Sequence, residues 1–304
     1  MDQGELVKDI LKLKKCRNAV ILAHNYQRPE IQDLGDFVGD SLELARKAQS
    51  TESDIIVFCG VDFMAETAAI INPGKTVLIP AWEALCPMAA MLPPETIRQA
   101  REENPDAEVV MYVNTTAAAK VYADCICTSA NAVKVVNSMD ADTILFAPDR
   151  NLAYYVAQRT KKRIITVPEK GMCVVHDRIT VDDVMAARKA HPNAKVTVHP
   201  ECIPDVQAIA DHIGSTKQMI EYVKTDPSPE YIIGTEVDIA HRMRKEAPDK
   251  TFYPACEKAI CRNMKKNTLE NLRDALLNMQ YKVVVPEKIV EKARKPIERM
   301  LALK

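Results

Sequence analysis

Three cysteines, Cys86, Cys173 and Cys261, recur at nearly equal intervals, 173 − 86 = 87 and 261 − 173 = 88 residues. Thiolates are soft ligands suited to zinc and to iron–sulfur clusters, so three of them brought to one point would build a metal centre. A zinc ion would need a fourth ligand, which His176 or His24 could supply. A [4Fe–4S] cube takes four cysteines in its common form; with three, one iron stays open and acts as a Lewis acid rather than an electron carrier. The bland alternative is three buried loop cysteines carried along by a repeat. The chain has nine cysteines in all, an odd number that favours free thiols in a reducing compartment over a disulfide framework. Cys125 and Cys127 are too close in sequence for a comfortable disulfide, and Cys16, Cys59 and Cys202 read as packing residues in or beside apolar runs.

Other polar groups keep the same register. The pairs His24/Tyr26, Tyr112/Asn114 and His199/Glu201 begin 112 − 24 = 88 and 199 − 112 = 87 residues apart. A hydroxyl follows each first member by 17 residues, at Ser41, Ser129 and Thr216. Acidic residues recur at Asp54, Asp142 and Glu230, and prolines at Pro80, Pro168 and Pro254. This register decides between two neighbouring cysteines. From the first member of each pair, the cysteine falls at 86 − 24 = 62, 173 − 112 = 61 and 261 − 199 = 62, whereas Cys256 would fall at 57. Cys261 is therefore the third member.

The elements that must position these residues alternate along the chain. Strand patterns cover 19–23, 54–59, 76–79, 108–112, 143–146, 163–167, 195–198, 231–233 and 251–253, with amphipathic helical runs such as 42–48, 132–139 and 217–224 between them. Such alternation predicts βαβ units with parallel sheets. The strands fall into three sets of three, which predicts an α/β fold of three small αβα domains related by pseudo-three-fold symmetry, each with a short, mostly parallel sheet, around a central cluster site. The units are residues 1–86, 87–173 and 174–261, followed by a helical C-terminal segment, 262–304, packing on the domains and returning to the first. Helical runs at 5–15, 269–279 and 287–301 flank the repeats, with a strand-like 281–285 between the last two.

Parallel α/β sheets build their sites at the carboxyl ends of strands, where the three pairs stand. The hydroxyls stand where helices begin, so they read as N-caps, as ligands of an anion, or as both. Three such helix ends facing one centre suit a small polyanionic substrate.

Composition removes several classes. Hydrophobic residues are 47% and charged residues 27% of 304, ordinary for a globular chain, and a formal net charge of −1 offers no case for nucleic acid or an anionic membrane surface. The apolar stretches are strand-length, and the acidic amino-terminal stretch is not a secretory signal, so a cytoplasmic location is expected. With eight glycines and neither a G-x-G-x-x-G nor a Walker A pattern, the units need not bind NAD or ATP.

The stretches Ala23-His-Asn-Tyr-Gln27, Gly39-Asp-Ser41, Cys86-Pro-Met-Ala89, Tyr112-Val-Asn114, Thr128-Ser129, Gly171-Met-Cys173 with His176, His199-Pro-Glu201 and Cys261-Arg-Asn-Met-Lys265 together resemble quinolinate synthase, the NadA family, over nearly the whole chain. The resemblance implies a [4Fe–4S] cluster with three cysteine ligands, Cys86, Cys173 and Cys261, and one open iron. It implies condensation of iminoaspartate with dihydroxyacetone phosphate to quinolinate, with loss of phosphate and water, on the route to NAD. An aspartate-oxidising enzyme would supply the iminoaspartate. By similarity, His24, Ser41, Tyr112, Asn114, Ser129, His199, Glu201 and Thr216 bind substrate or act on it, and His24, Tyr26 and Glu201 are the candidate proton carriers. The open iron would chelate the substrate nitrogen and an adjacent carboxylate. Two competing functions are an aconitase-type iron–sulfur hydro-lyase, whose closely spaced cysteine pair this chain lacks, and a non-enzymatic metal- or redox-sensing protein.

Overall fold

The apolar runs that read as strands form three separate sheets, and each sheet gains a short edge strand that no sequence pattern announces. The computed structural model describes residues 2–303. The first sheet holds β1 (Ala19–His24), β2 (Phe37–Gly39), β3 (Ile55–Cys59) and β4 (Thr76–Leu78). The second holds β5 (Glu108–Tyr112), β6 (Cys125–Cys127), β7 (Thr143–Ala147) and β8 (Arg163–Thr166). The third holds β9 (Lys195–Val198), β10 (His212–Ile213), β11 (Glu230–Gly234) and β12 (Thr251–Pro254). All pairings within the sheets are parallel, and each sheet has the same order, second strand, first, third, fourth.

That order reverses direction between the first and third strands, the place where open α/β sheets form their crevice. The edge strands explain the fixed spacing of the hydroxyls. His24 pairs with Gly39, Tyr112 with Cys127 and Val198 with Ile213, so the residues just beyond each edge strand come level with the first strand's carboxyl end. Ser41, Ser129 and Thr216 are therefore carried to the crevice of their own unit.

Side-chain alternation splits each sheet between two cores. From β1, Val20 and Leu22 enter a central core with Ile56 and Phe58 of β3, whereas Ile21 and Ala23 join Ile55, Val57 and Cys59 in an outer layer. Tyr231 and Ile233 of β11 reach the same central core, and Ile232 faces an outer one. Strands buried on both faces suit parallel sheets covered by helices. The helix Leu269–Asn278 packs beside Gln3–Cys16 on the outer layer of the first sheet. The helix Glu287–Ala302 buries Ala293, Pro296, Ile297 and Met300, a one-face spacing, against β6 and the helix Asp62–Ile71, and so joins the second sheet to the first.

Two expectations change. The stretch 281–285 runs antiparallel beside β4 through bonds such as Val283 N–H to the Val77 carbonyl (2.9 Å), but forms an isolated bridge rather than a strand. Cys16 is exposed at the end of its helix and packs nothing, while Cys59 and Cys202 are fully buried. No helix among the described residues is long and apolar enough to cross a membrane.

Candidate active site

Each cysteine loop is fastened by a carboxylate from its own unit. The Cys86 N–H donates to Asp62 Oδ1 (2.8 Å), that of Cys173 to Asp149 Oδ2 (2.9 Å) and that of Cys261 to Glu236 Oε1 (3.2 Å). These acids follow the third-position strands of their sheets at intervals of 149 − 62 = 87 and 236 − 149 = 87 residues. The repeat register contained them, but acidic residues are common, and their role as backbone acceptors leaves no mark beyond position. Gly171 serves the middle loop by its small size: a Cβ there would lie 1.9 Å from the Pro148 carbonyl oxygen.

All three cysteines line one cavity, partly open to solvent, between the three sheets. The three pairs and the three hydroxyls line it too: His24, Tyr26, Ser41, Tyr112, Asn114, Ser129, His199, Glu201 and Thr216. Cys256 does not, and packs instead in the outer core of the third unit. No lysine or arginine is among the lining residues, so an anion there would be met by hydroxyls, amides, imidazoles and whatever the cysteines hold.

The hydroxyls are not the caps of their helices. Asp40 caps Ser41–Ser50 by accepting from Leu42 and Glu43 N–H, and Ser215 caps Thr216–Thr225 by accepting from Gln218 N–H. In the second unit the helix starts only at Ala132, after Asn131. Relieved of capping, Thr216 Oγ1 accepts from Asn25 Nδ2 (2.8 Å) and Ser129 Oγ lies 3.2 Å from His199 Nε2.

The two equivalent histidines are set in the same way. His24 Nδ1 accepts the Tyr26 N–H (3.2 Å) and His199 Nδ1 accepts the Glu201 N–H (3.3 Å), which leaves Nε2–H as the donor of each neutral ring. Burial pulls both imidazoles down to about 3, against the raising effect of Glu201. The unfolded chain binds these protons near pH 6.5, so between about 6.5 and 3 it holds more protons than the folded chain and stability falls as pH falls. Replacing His199 by Asn should therefore flatten the pH dependence of the unfolding free energy by about 1.4 kcal/mol per pH unit in that window. Urea unfolding at several pH values, parent against variant, measures it; parallel curves would show that the buried ring carries a proton.

Across the unit boundaries runs a chain of hydrogen bonds that the sequence did not reveal. Glu201 Oε2 lies 2.7 Å from His176 Nδ1, His176 Nε2 lies 2.7 Å from Thr235 Oγ1, and Thr235 Oγ1 lies 2.6 Å from the Tyr26 hydroxyl. Burial by itself would raise the Glu201 carboxyl, but the His199 and His176 rings set against Oε2 hold it down to about 2. Burial and the Glu201 charge push both the Tyr26 and Tyr112 phenols far up, so both stay protonated. One Glu201 oxygen, Oε1, is buried without a partner, as is Asn114 Oδ1. A buried carboxylate oxygen left unpaired in a cavity is placed to accept a proton or a donor from a bound molecule.

The three cysteine sulfurs are not gathered as closely as ligands of one tetrahedral ion. The ligand atoms of Cys173, His176 and Glu201 lie within 4.8 Å of one another, and among the described residues the three cysteine sulfurs form no such group. A tetrahedral zinc with bonds of ~2.3 Å would bring its sulfurs to about 3.8 Å. Burial pushes all three thiols up, opposed by backbone N–H groups that include those of Ala89, His176 and Met264. Holding three buried thiolates together therefore calls for a positive centre between them.

A family model described as quinolinate synthetase A protein, NadA, matches residues 8–302. The quinolinate synthase of Methanoregula boonei is 55% identical over 302 residues, 99% of each chain. That of Pyrococcus horikoshii is 57% identical over 299 residues, covering 98% of this chain and 99% of the relative. That of Thermotoga maritima is 53% identical over 298 residues, covering 98% and 99%.

Proposed function

The chain belongs to the quinolinate synthase family and is an enzyme of NAD biosynthesis, and from that premise we propose how its cavity works. The substrates are small molecules: iminoaspartate, provided by an aspartate-oxidising enzyme, and dihydroxyacetone phosphate, which condense to quinolinate with loss of phosphate and water. Free cysteines in this number suit the cytoplasm. One observation carries the reading: equivalent cysteines from three repeat units line the same cavity as His24, His199 and Glu201.

Cys86, Cys173 and Cys261 would hold a [4Fe–4S] cluster, which when bound supplies one iron with an open position and Lewis acidity. The residues around it bind and move protons. Ser41, Ser129 and Thr216 hold the substrate carboxylates, Ser41 and Thr216 at helix starts, where partial positive charge favours anions. Asn114 and the Nε2–H donors of His24 and His199 orient the carbon skeleton. Glu201, ionised and with Oε1 free, accepts a proton from substrate, while Tyr26, protonated and linked to it through Thr235 and His176, returns one to a departing hydroxyl. The same reading takes 1–86, 87–173 and 174–261 as homologous units and 262–304 as a tail; each sheet lies within one unit, which supports it.

Protein purified without oxygen should contain about four irons and four sulfides per chain and form quinolinate from the two substrates. Zinc at one atom per chain without sulfide would instead assign the metal to the Cys173–His176–Glu201 group and reject the cluster.

A further inference from the structure

Three buried donors outside the reaction scheme stand in the repeat register. Gln32, Lys120 and Gln207 each lie eight residues beyond the first member of a pair, at 32 − 24, 120 − 112 and 207 − 199. All are 5% exposed or less. Their bonds are equivalent as well. Gln32 Nε2 donates to the carbonyls of Asn25 (3.2 Å) and Gln27 (2.8 Å). Gln207 Nε2 donates to those of Pro200 (2.9 Å) and Cys202 (2.8 Å). Lys120 Nζ donates to those of Val113 (2.9 Å) and Thr115. In every unit the two carbonyls flank one residue, the second member of the pair: Tyr26, Asn114 or Glu201.

The same side chains cross to a neighbouring unit. Gln32 Nε2 also lies 3.0 Å from the Asp238 carbonyl oxygen in the third unit, and Gln207 Nε2 3.3 Å from that of Asn151 in the second, so each amide shares its two N–H donors among three carbonyls. These acceptors are themselves equivalent, 238 − 151 = 87. Lys120 reaches no such carbonyl; its Nζ lies over the Phe63 ring of the first unit (5.6 Å), and the Ala117 N–H of its own helix donates to Glu66 Oε2 there (2.7 Å). First to third, third to second and second to first, the contacts close a ring.

We propose that Gln32, Lys120 and Gln207 are positioning residues of one kind: a ring of clamps that fixes Tyr26, Asn114 and Glu201 at the cavity by tying each loop to itself and to the next unit. The inference rests on the assignment of those three residues to the reaction. Reacting groups moved by about 1 Å can lose on the order of 10²-fold in rate, so a clamp matters to turnover beyond its part in stability.

The test compares the cluster-loaded parent with Lys120→Met, Lys120→Gln and Gln207→Leu, all prepared without oxygen. Lys120→Met and Gln207→Leu should keep parental iron and sulfide but lose about 10²-fold in turnover. Gln207→Leu should act on kcat, through Glu201, and Lys120→Met should also raise KM, through Asn114. Amide exchange should quicken at 113–115 and at 200–202, respectively. Lys120→Gln installs the residue of the other two slots and should recover turnover to within about fivefold of the parent. Turnover of the apolar variants at the parental rate, or Lys120→Gln as impaired as Lys120→Met, would overturn the clamp. If the apolar variants do not accumulate, Lys120→Gln decides alone: near-parental turnover supports the clamp, and a 10²-fold loss with cluster retained rejects it. Should the loaded parent itself form no quinolinate, it is the reaction assignment that fails, a result distinct from active parent and unaffected variants.

Discussion

Cys261→Ala should strip the protein of iron and sulfide and abolish quinolinate formation, while Cys256→Ala should leave both at the parental level. The two cysteines are five residues apart and both are partly buried, so neither proximity nor exposure separates them. Register and geometry do. Cys261 lines the cavity, and its backbone is held by Glu236 as Cys86 is by Asp62 and Cys173 by Asp149. Cys256 does not line the cavity, and among the described residues no acidic side chain accepts from its N–H. Losing one of three cluster ligands removes the metal's stabilisation of developing charge, several kcal/mol, so turnover should fall by at least about 10³-fold. Iron and sulfide analysis after anaerobic reconstitution reads the outcome directly. A Cys256→Ala protein without a cluster beside a Cys261→Ala protein that keeps one would reverse the assignment.

Glu201→Gln should keep the cluster and lower kcat by about 10²–10⁴-fold, the range for removing a positioned acid or base. Gln matches Glu in size and can still hydrogen-bond the neighbouring ring, so packing around His176 and His199 is conserved. What disappears is the ionised oxygen: Oε2 anchors at His176 while Oε1 is buried and unpaired, ready for a proton from bound substrate. Because Glu201 is held down to about 2, the base form persists throughout the neutral range, and the loss should not be recovered by raising pH. Single-turnover kinetics on loaded enzyme would measure it. Parental kcat in the variant would remove Glu201 from the proton path.

Much of this site was legible because a repeat writes the same chemistry three times. Cys86, Cys173 and Cys261 could be selected from nine cysteines, and the paired residues and hydroxyls located, by counting alone. Three kinds of feature escaped. The edge strands β2, β6 and β10 are two or three residues long, too short to carry a period of two. Asp62, Asp149 and Glu236 stood in register but act through backbone N–H groups, which any residue possesses. Gln32, Lys120 and Gln207 share a slot but not a side-chain type, so a count of like residues passes over them.

Sequence by itself determined the repeat spacing, the fold class and the cysteines, paired residues and hydroxyls that line the cavity. Those follow from covalent spacing and from the alternation of strand and helix periods, which are local properties of a chain. The tertiary structure decided which groups touch. His176 and Glu201 are 25 residues apart and belong to different loops, yet lie 2.7 Å from each other, and Tyr26 meets Thr235 across 209 residues at 2.6 Å. Such contacts depend on how three sheets dock on a shared apolar core, and docking is set by the packing of many side chains at once rather than by any spacing along the chain.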